Sequence, residues 1–223
     1  MNVNDITANH IRRWQNELIK KEYAQTYLKV INNQIRAIFN FAIRYYNLNS
    51  IPALKAGIMG KTKADDMQFW TIKEFKKFMG LDDKPISGLA FKILFWTGMR
   101  CGELLALTWK DINLKNKTID INKTYARIKK QDIINEPKTQ KSKRVISISD
   151  SLCKDIEKYK SKLYSYNVTD RIFHFTRFFL SYEMKRICKK SGVKPIRTHD
   201  LRHSHASLLI ELGFTPLLIA ERL

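Results

Sequence analysis

Thr97-Gly98-Met99-Arg100-Cys101-Gly102-Glu103-Leu104-Leu105-Ala106-Leu107 is the stretch on which the reading of this chain turns. An apolar helix over 86–97 stops at Gly98, and another short helix is expected over 103–108. One arginine thus stands between two glycines at a corner where one helix ends and the next begins. Glycine lets a backbone come close to a ligand, and the amides of a helix N-terminus favour an anion. Glu103, three residues on, can hold the Arg100 side chain in place. Taken alone, the stretch also reads as a helix–turn–helix corner with a surface arginine.

Working outward, Thr118–Lys123 and Lys143–Ile148 read as strands, with alternation at Val145, Ile146, Ser147 and Ile148. The basic turn Pro137-Lys138-Thr139-Gln140-Lys141-Ser142-Lys143-Arg144 joins them. Helices are expected over 151–165, 178–190 and 199–212. Thr215-Pro216, a cap followed by proline, opens one more. Upstream, Thr71-Ile72-Lys73-Glu74 is a capping box that starts a helix. Residues 55–69, with two glycines and five charges, make the best linker in the chain. Before it, 6–46 reads as two helices. Thr7 caps the first, which carries Ile11, Trp14, Leu18 and Ile19. The second carries Tyr27, Ile31, Ile35, Ile38, Phe39 and Ala42 at helical spacing, with Lys29, Gln34, Arg36 and Arg44 on its other face. The expected fold class is α+β, mostly α with a small antiparallel β-sheet. Two domains are expected, a helical one over 1–62 and a mixed one over 63–223.

Charge narrows the function. Lys and Arg number 41 against 21 Asp and Glu, a net +20. Enzymes of small metabolites rarely need such an excess, and the usual partner is a polyanion, nucleic acid first. The excess is also clustered: residues 1–60 carry +5, 123–144 carry +6 and 185–202 carry +6. Separated basic segments suit a protein that wraps a duplex, although solvated lysine-rich faces are the plainer alternative. The 44% hydrophobic content can fill a core, and 13 Gly and Pro together exclude a fibrous or disordered class. Cys101, Cys153 and Cys188 lie far apart and form no CxxC pair, so neither a zinc site nor a disulfide framework is expected. The N-terminus lacks the pattern of a signal peptide, and no apolar run is long enough to span a membrane.

A third patch, Thr198-His199-Asp200-Leu201-Arg202-His203-Ser204-His205, places His199 and Arg202 three apart on one helix face, with Thr198 as its cap. Such a pair can hold a phosphate. Three histidines in seven residues invite a metal, but no HExxH-like spacing completes a ligand set, and no metal or cofactor is expected. The turn at 137–144 has its own plain alternative, a solvated hairpin tip. Read together, the patches supply two arginines, a lysine and a histidine. That set serves in-line displacement at a phosphodiester without a metal: guanidiniums neutralise the non-bridging oxygens, the lysine protonates the leaving 5′ oxygen, and the histidine donates a hydrogen bond or handles the nucleophile's proton.

The sequence resembles the phage-integrase family of tyrosine recombinases. TGMRCGELLAL resembles the family's first conserved box, THDLRHSHASLL its second, and PKTQKSKRVISIS its catalytic β-hairpin. Order and spacing agree over roughly 5–223, with most likeness to integrases of Gram-positive phages and conjugative transposons. The resemblance implies that Arg100 and Arg202 clamp the phosphate, Lys138 is the general acid, His199 precedes the second arginine, and Glu103 buttresses the first. It implies a core-binding domain followed by a recombinase catalytic domain, closing as a clamp on double-stranded DNA. Lys29, Arg36, Arg44, Lys141, Lys143, Arg144 and Arg197 are the expected DNA contacts. It further implies strand exchange through a 3′-phosphotyrosine, homo-tetramers of the full-length protein on DNA, no membrane, and a bacterial cytoplasmic, nucleoid-associated location. The family's nucleophilic tyrosine follows the second box. None of the nine tyrosines here does so, the last being Tyr182. These 223 residues are therefore expected to bind DNA without cutting it. Two alternatives stand beside this one: a non-catalytic DNA-binding remnant at recombination or promoter sites, and a relaxing topoisomerase of the same chemistry.

Overall fold

The computed structural model describes residues 2–62, 67–137 and 142–223. It divides into two compact units, Met1–Asp66 and Met67–Leu223.

The first unit is helical: α1 (Ala8–Ile19), α2 (Gln25–Tyr46) and α3 (Pro52–Lys55). Thr7 caps α1 by accepting from the His10 N–H. The small core joins Ile11, Phe39, Ala53 and Ala56, with Trp14 and Ile35 packed against it. The buried face of α2 is Leu28, Asn32, Ile35 and Phe39, rotated from the expected stripe; Tyr27 and Ile38 are exposed. The buried side carries a polar pair. Gln15 is buried on α1, and its Nε2 donates to Asn32 Oδ1 at 2.8 Å and to the Gly57 carbonyl at 3.3 Å. Gln15 thereby finds partners for its buried amide, and Asn32, which supplies one of them through Oδ1, lies on the inward side of α2.

The linker expected over 55–69 is partly core. Ala56 and Met59 are buried, and Lys61 N donates to the Gln25 carbonyl at 3.2 Å. A Cβ at Gly60, whose φ is +80°, would run into the Gln25 carbonyl and the Lys29 amide. Glycine there lets the chain lie against the first turn of α2.

The second unit holds α4 (Ile72–Met79), α5 (Pro85–Thr97), α6 (Cys101–Ala106), β1 (Ile112–Asn113), β2 (Thr118–Ile121), β3 (Thr124–Ile128), β4 (Gln131–Asn135), β5 (Arg144–Ser147), α7 (Asp150–Lys160), α8 (Arg177–Ser191), α9 (Asp200–Glu211) and α10 (Pro216–Arg222). The architecture is mostly helical with a small antiparallel sheet. Helix α5 is apolar on every side, which suits a helix enclosed by others. Ala90, Phe91, Ile93 and Phe95 are fully buried, and Phe95 stacks on Phe75 of α4 with centroids 3.9 Å apart. Helices α7 and α9 both pack on α5.

Strands β1, β2 and β5 form one antiparallel sheet, with Ile119 opposite Ile146. The expected pairing of the two sequence-read strands is present, but they are not joined directly. A second hairpin, β3–β4, lies between them. Its two-residue turn is Lys129-Lys130, both with positive φ, the backbone of a mirror-image turn. That turn normally announces itself by Asn-Gly or Asp-Gly; two lysines hide it.

Phe91→Ala should lower the stability of the second unit by ~3–5 kcal/mol, as a large buried side chain does when truncated. Urea unfolding followed by circular dichroism measures this. A loss under about 1 kcal/mol would mean that α5 is not the centre of the core.

Candidate phosphate site

Gly98 ends α5 in the left-handed conformation, φ +67°, and caps it with an N–H bond to Leu94. A Cβ there would strike Leu223 and come within 2.7 Å of the His205 ring. The turn presents the Gly98 carbonyl to Arg202 on α9, whose Nη1 donates to it at 2.9 Å. The Arg202 Nη2 donates to the Leu223 carbonyl. So the second arginine is anchored on the corner that carries the first.

Arg100 is the N-cap of α6, which begins two residues earlier than expected because Glu103 completes a capping box. The Arg100 N–H donates to Glu103 Oε2 at 2.9 Å, and its Nη1 donates to Oε1 at 2.9 Å. Glu103 is 4% exposed. Burial alone would raise its carboxyl, but hydrogen bonds from Arg144 and from the Arg100 amide, with the Arg144 charge, hold it below the ordinary carboxylate range. Gly102 serves packing rather than a ligand. A Cβ there would meet Thr124 Oγ1 at 2.7 Å and the Tyr125 carbonyl at 3.1 Å, so glycine is what lets α6 lie on β3.

Arg202 is half-buried, and its guanidinium is pulled down to about 10, first by burial and then by the charges of Arg100 and Arg144; Glu103 opposes this. It remains a cation at neutral pH. Arg100 and Arg144 bond the Glu103 carboxylate and the Arg202 guanidinium lies near all three, so positive charge is in surplus here and suits an anion. The Arg100 side chain is 49% exposed, so it faces outward.

His199 precedes α9 and is exposed, but it makes no cap bond, and neither does Thr198, whose hydroxyl pairs with Ser181 at 3.4 Å. The turn is instead held by buried Asp200, which accepts from the Arg197 N–H and Nη2, both at 2.8 Å. Burial, then the charges of His203 and Arg202, push the His199 imidazole below its usual range. It is therefore a neutral donor or acceptor at physiological pH. His205 is buried and pulled down to about 4, by burial and then by Arg222, whose Nε donates to its Nε2 at 3.1 Å. Among the described residues, no group of three His, Cys, Asp or Glu is placed to hold a metal ion.

Lys138 and Lys141 lie outside the described residues. Of the other expected DNA contacts, Arg44 is exposed with its guanidinium 5.8 Å from the Tyr45 ring, and Lys29 and Arg36 are half-buried on α2. Lys143 is exposed and paired with Glu136 at 2.9 Å. Arg197 is 79% exposed but tied to Asp200. Arg144 departs from expectation: its side chain is 9% exposed and engaged with Glu103 inside the protein, because the alternation of β5 turns it inward.

Arg127 and Arg177 escaped sequence reading. Together with Arg100, Arg197 and His199 they line a cleft of about 700 Å³ between α6, β3 and α8. Arg127 sits in the hairpin that its lysine turn concealed. Arg177 is a lone cation within a run of aromatics, with no local signal to single it out.

Residues 69–223 match the model of the phage integrase family. The chain is 32% identical to the ICEBs1 integrase of Bacillus subtilis (strain 168), over 99% of this chain and 64% of that protein. It is 28% identical to the integrase of Staphylococcus phage L54a, over 99% of this chain and 72% of that one. Among solved structures, the Tn1549 transposon integrase in complex with a circular intermediate DNA superposes with a TM-score of 0.83 at 20% identity, over 99% of this chain and 78% of that one. A lambda integrase dimer bound to a COC′ core site gives 0.68 at 20% identity, over 99% and 79%. At such identities the likeness is one of fold. The chain thus spans about two thirds of the Bacillus integrase's length.

Glu103→Gln should cost stability at neutral pH, roughly 3 kcal/mol for a buried charge pair that is broken. Because the folded carboxyl is held below its unfolded value, this contribution is present above about pH 4.3 and is lost as pH falls through the folded value. Urea titrations of both proteins at several pH values should show the gap closing in acid. A gap independent of pH would mean that the carboxylate charge contributes nothing.

Proposed function

Because this chain belongs to the phage integrase family of tyrosine recombinases, we propose that it binds double-stranded DNA and holds a scissile phosphate for site-specific recombination. Arg100 and Arg202 clamp the non-bridging oxygens. His199, neutral at physiological pH, hydrogen-bonds the phosphate or relays the nucleophile's proton. Lys138 delivers a proton to the leaving 5′ oxygen. The observation that supports this reading is the anchoring of Arg202 on Gly98, which brings it near Arg100, where Glu103 alone among the described residues offsets the charge. The named relatives are integrases, and two of the fold neighbours were solved on DNA.

In this reading the first unit is a core-type DNA-binding domain and the second is the catalytic domain. The protein breaks and rejoins DNA through a 3′-phosphotyrosine, to integrate or excise a phage or mobile element. It acts as a tetramer on DNA in the bacterial cytoplasm. No tyrosine among residues 1–223 follows Arg202, so the attacking group comes from outside them, and these residues alone bind without cutting. The second reading is a binding-only protein on recombination or promoter sites. The reading frame after Leu223 separates the two: a tyrosine about 30 codons on, a spacing taken from the family resemblance, supports the recombinase, and an immediate stop supports the other.

Duplex binding should weaken steeply with salt, by ~10³–10⁵ between 50 and 200 mM if ~6–10 phosphates are neutralised. Fluorescence anisotropy across that range measures the slope, and a flat response would sink the clamp. On a nicked suicide duplex, residues 1–223 should form no covalent adduct; a gel-stable adduct would expose a nucleophile among the nine tyrosines. In a version that cleaves, Arg100→Ala or Arg202→Ala should abolish cleavage while leaving most duplex binding. Loss of both in proportion would mark them as ordinary phosphate contacts.

A further inference from the structure

Glu103 receives four hydrogen bonds, two from Arg144 and two from Arg100, but only the Arg144 pair both come from the guanidinium. Arg144 sets a two-pronged fork on the carboxylate, Nη1 to Oε1 at 3.3 Å and Nη2 to Oε2 at 3.0 Å. Arg100 contributes one guanidinium nitrogen and its backbone amide. Arg144 also donates through Nε to the Arg222 carbonyl at 2.9 Å and through Nη1 to the Ser142 carbonyl at 3.3 Å. Each of its three nitrogens therefore donates inside the protein, and its side chain is 9% exposed against 49% for Arg100.

We propose that Arg144 is a positioning residue: it answers the Glu103 charge with a two-pronged contact, so that Arg100 spends one guanidinium nitrogen on it and keeps its outward donors for a phosphate. The proposal rests on the reading of Arg100 and Arg202 as phosphate ligands. A fork of parallel N–H bonds is the strong form of the arginine–carboxylate contact, and lysine cannot make it. Without Arg144 a carboxylate buried this far has only one close partner. Arg100 is then drawn in to satisfy it, and the site loses the charge of Arg144 and the availability of Arg100 together. The same side chain joins three places far apart in sequence: the start of α6, the residue just after 138–141, and the last turn of α10.

A pH profile separates this role from a merely structural one. Among the described residues, the charged groups around Glu103 are Arg100 from the α5–α6 corner, Arg144 from β5 and Arg202 from α9; Arg222 of α10 lies beside Arg144, His199 precedes α9, and His203 and His205 lie on it. The histidines are common to wild type and variant, so the difference between the two profiles reports Glu103. In Arg144→Gln, burial is left with less to oppose it, and the Glu103 carboxyl rises. As pH falls through it, Glu103 becomes neutral and releases Arg100.

The test is calorimetric titration of the 223-residue chain with sodium sulfate, which stays a dianion between about pH 4.5 and 7.5, with circular dichroism as the check on folding. At the upper pH, Arg144→Gln should bind sulfate about tenfold more weakly than wild type and should recover toward it in acid. The double variant Glu103→Gln/Arg144→Gln should lack that recovery. Equal binding by Arg144→Gln and wild type at every pH overturns the role of Arg144 alone. If Arg144→Gln does not fold, Arg144→Lys carries the test: it keeps the charge without the fork, and binding about threefold weaker supports the proposal, while binding equal to wild type overturns it. A wild-type chain that binds no sulfate overturns the phosphate-site reading, and the positioning role with it.

Discussion

The Glu103 carboxylate, buried among guanidiniums, is the constraint from which the geometry of the second unit follows. A charge removed this far from water is tolerated only when partners answer it with good geometry. Those partners come from the α5–α6 corner and from β5, some forty residues apart in sequence. Satisfying one carboxylate thus fixes the start of α6, the inward face of β5 and, through the Arg222 carbonyl, the end of α10. The apolar core around α5 provides the rigid body on which these contacts keep their spacing.

A site with more positive than negative charge results. Arg202 joins from α9 by donating to the Gly98 carbonyl, which the left-handed turn at the end of α5 points toward it. Its guanidinium is pulled down yet stays protonated, so the repulsion with Arg100 and Arg144 is held by structure rather than relieved by proton loss. In the proposed reading, donors fixed in advance where a phosphate would sit need no reorganisation when it arrives. The cleft lined by Arg127, Arg177 and Arg197 extends the positive surface away from Arg100. This is the distribution expected of a protein that follows a phosphate backbone.

How much of this was legible differs from residue to residue. The Arg100 corner was readable because two glycines and a glutamate three residues on are local signals, although the helix start lies two residues before the expected one. The pairing of the two sequence-read strands was readable from alternation. The β3–β4 hairpin was not, since Lys129-Lys130 adopt positive φ without the residues that usually mark it. The buried face of α2 was misjudged because hydrophobic periodicity counts apolar residues only. A buried Gln15–Asn32 amide pair lies on the inward side.

Local sequence determined the Gly98 corner, the caps at Thr7 and Thr71, and the helix that had to be enclosed. These follow from backbone preferences and side-chain chemistry within a few residues, which is why they can be read along the chain. Tertiary structure alone decided which cations meet. Arg144 shares the inward parity of Ile146 in β5, but only the tertiary structure sets Glu103 opposite it. Arg127 and Arg177, unmarked in the sequence, arrive at one cleft. The physical reason is that charge interactions depend on distance and burial in space, and a sequence lists charges without either.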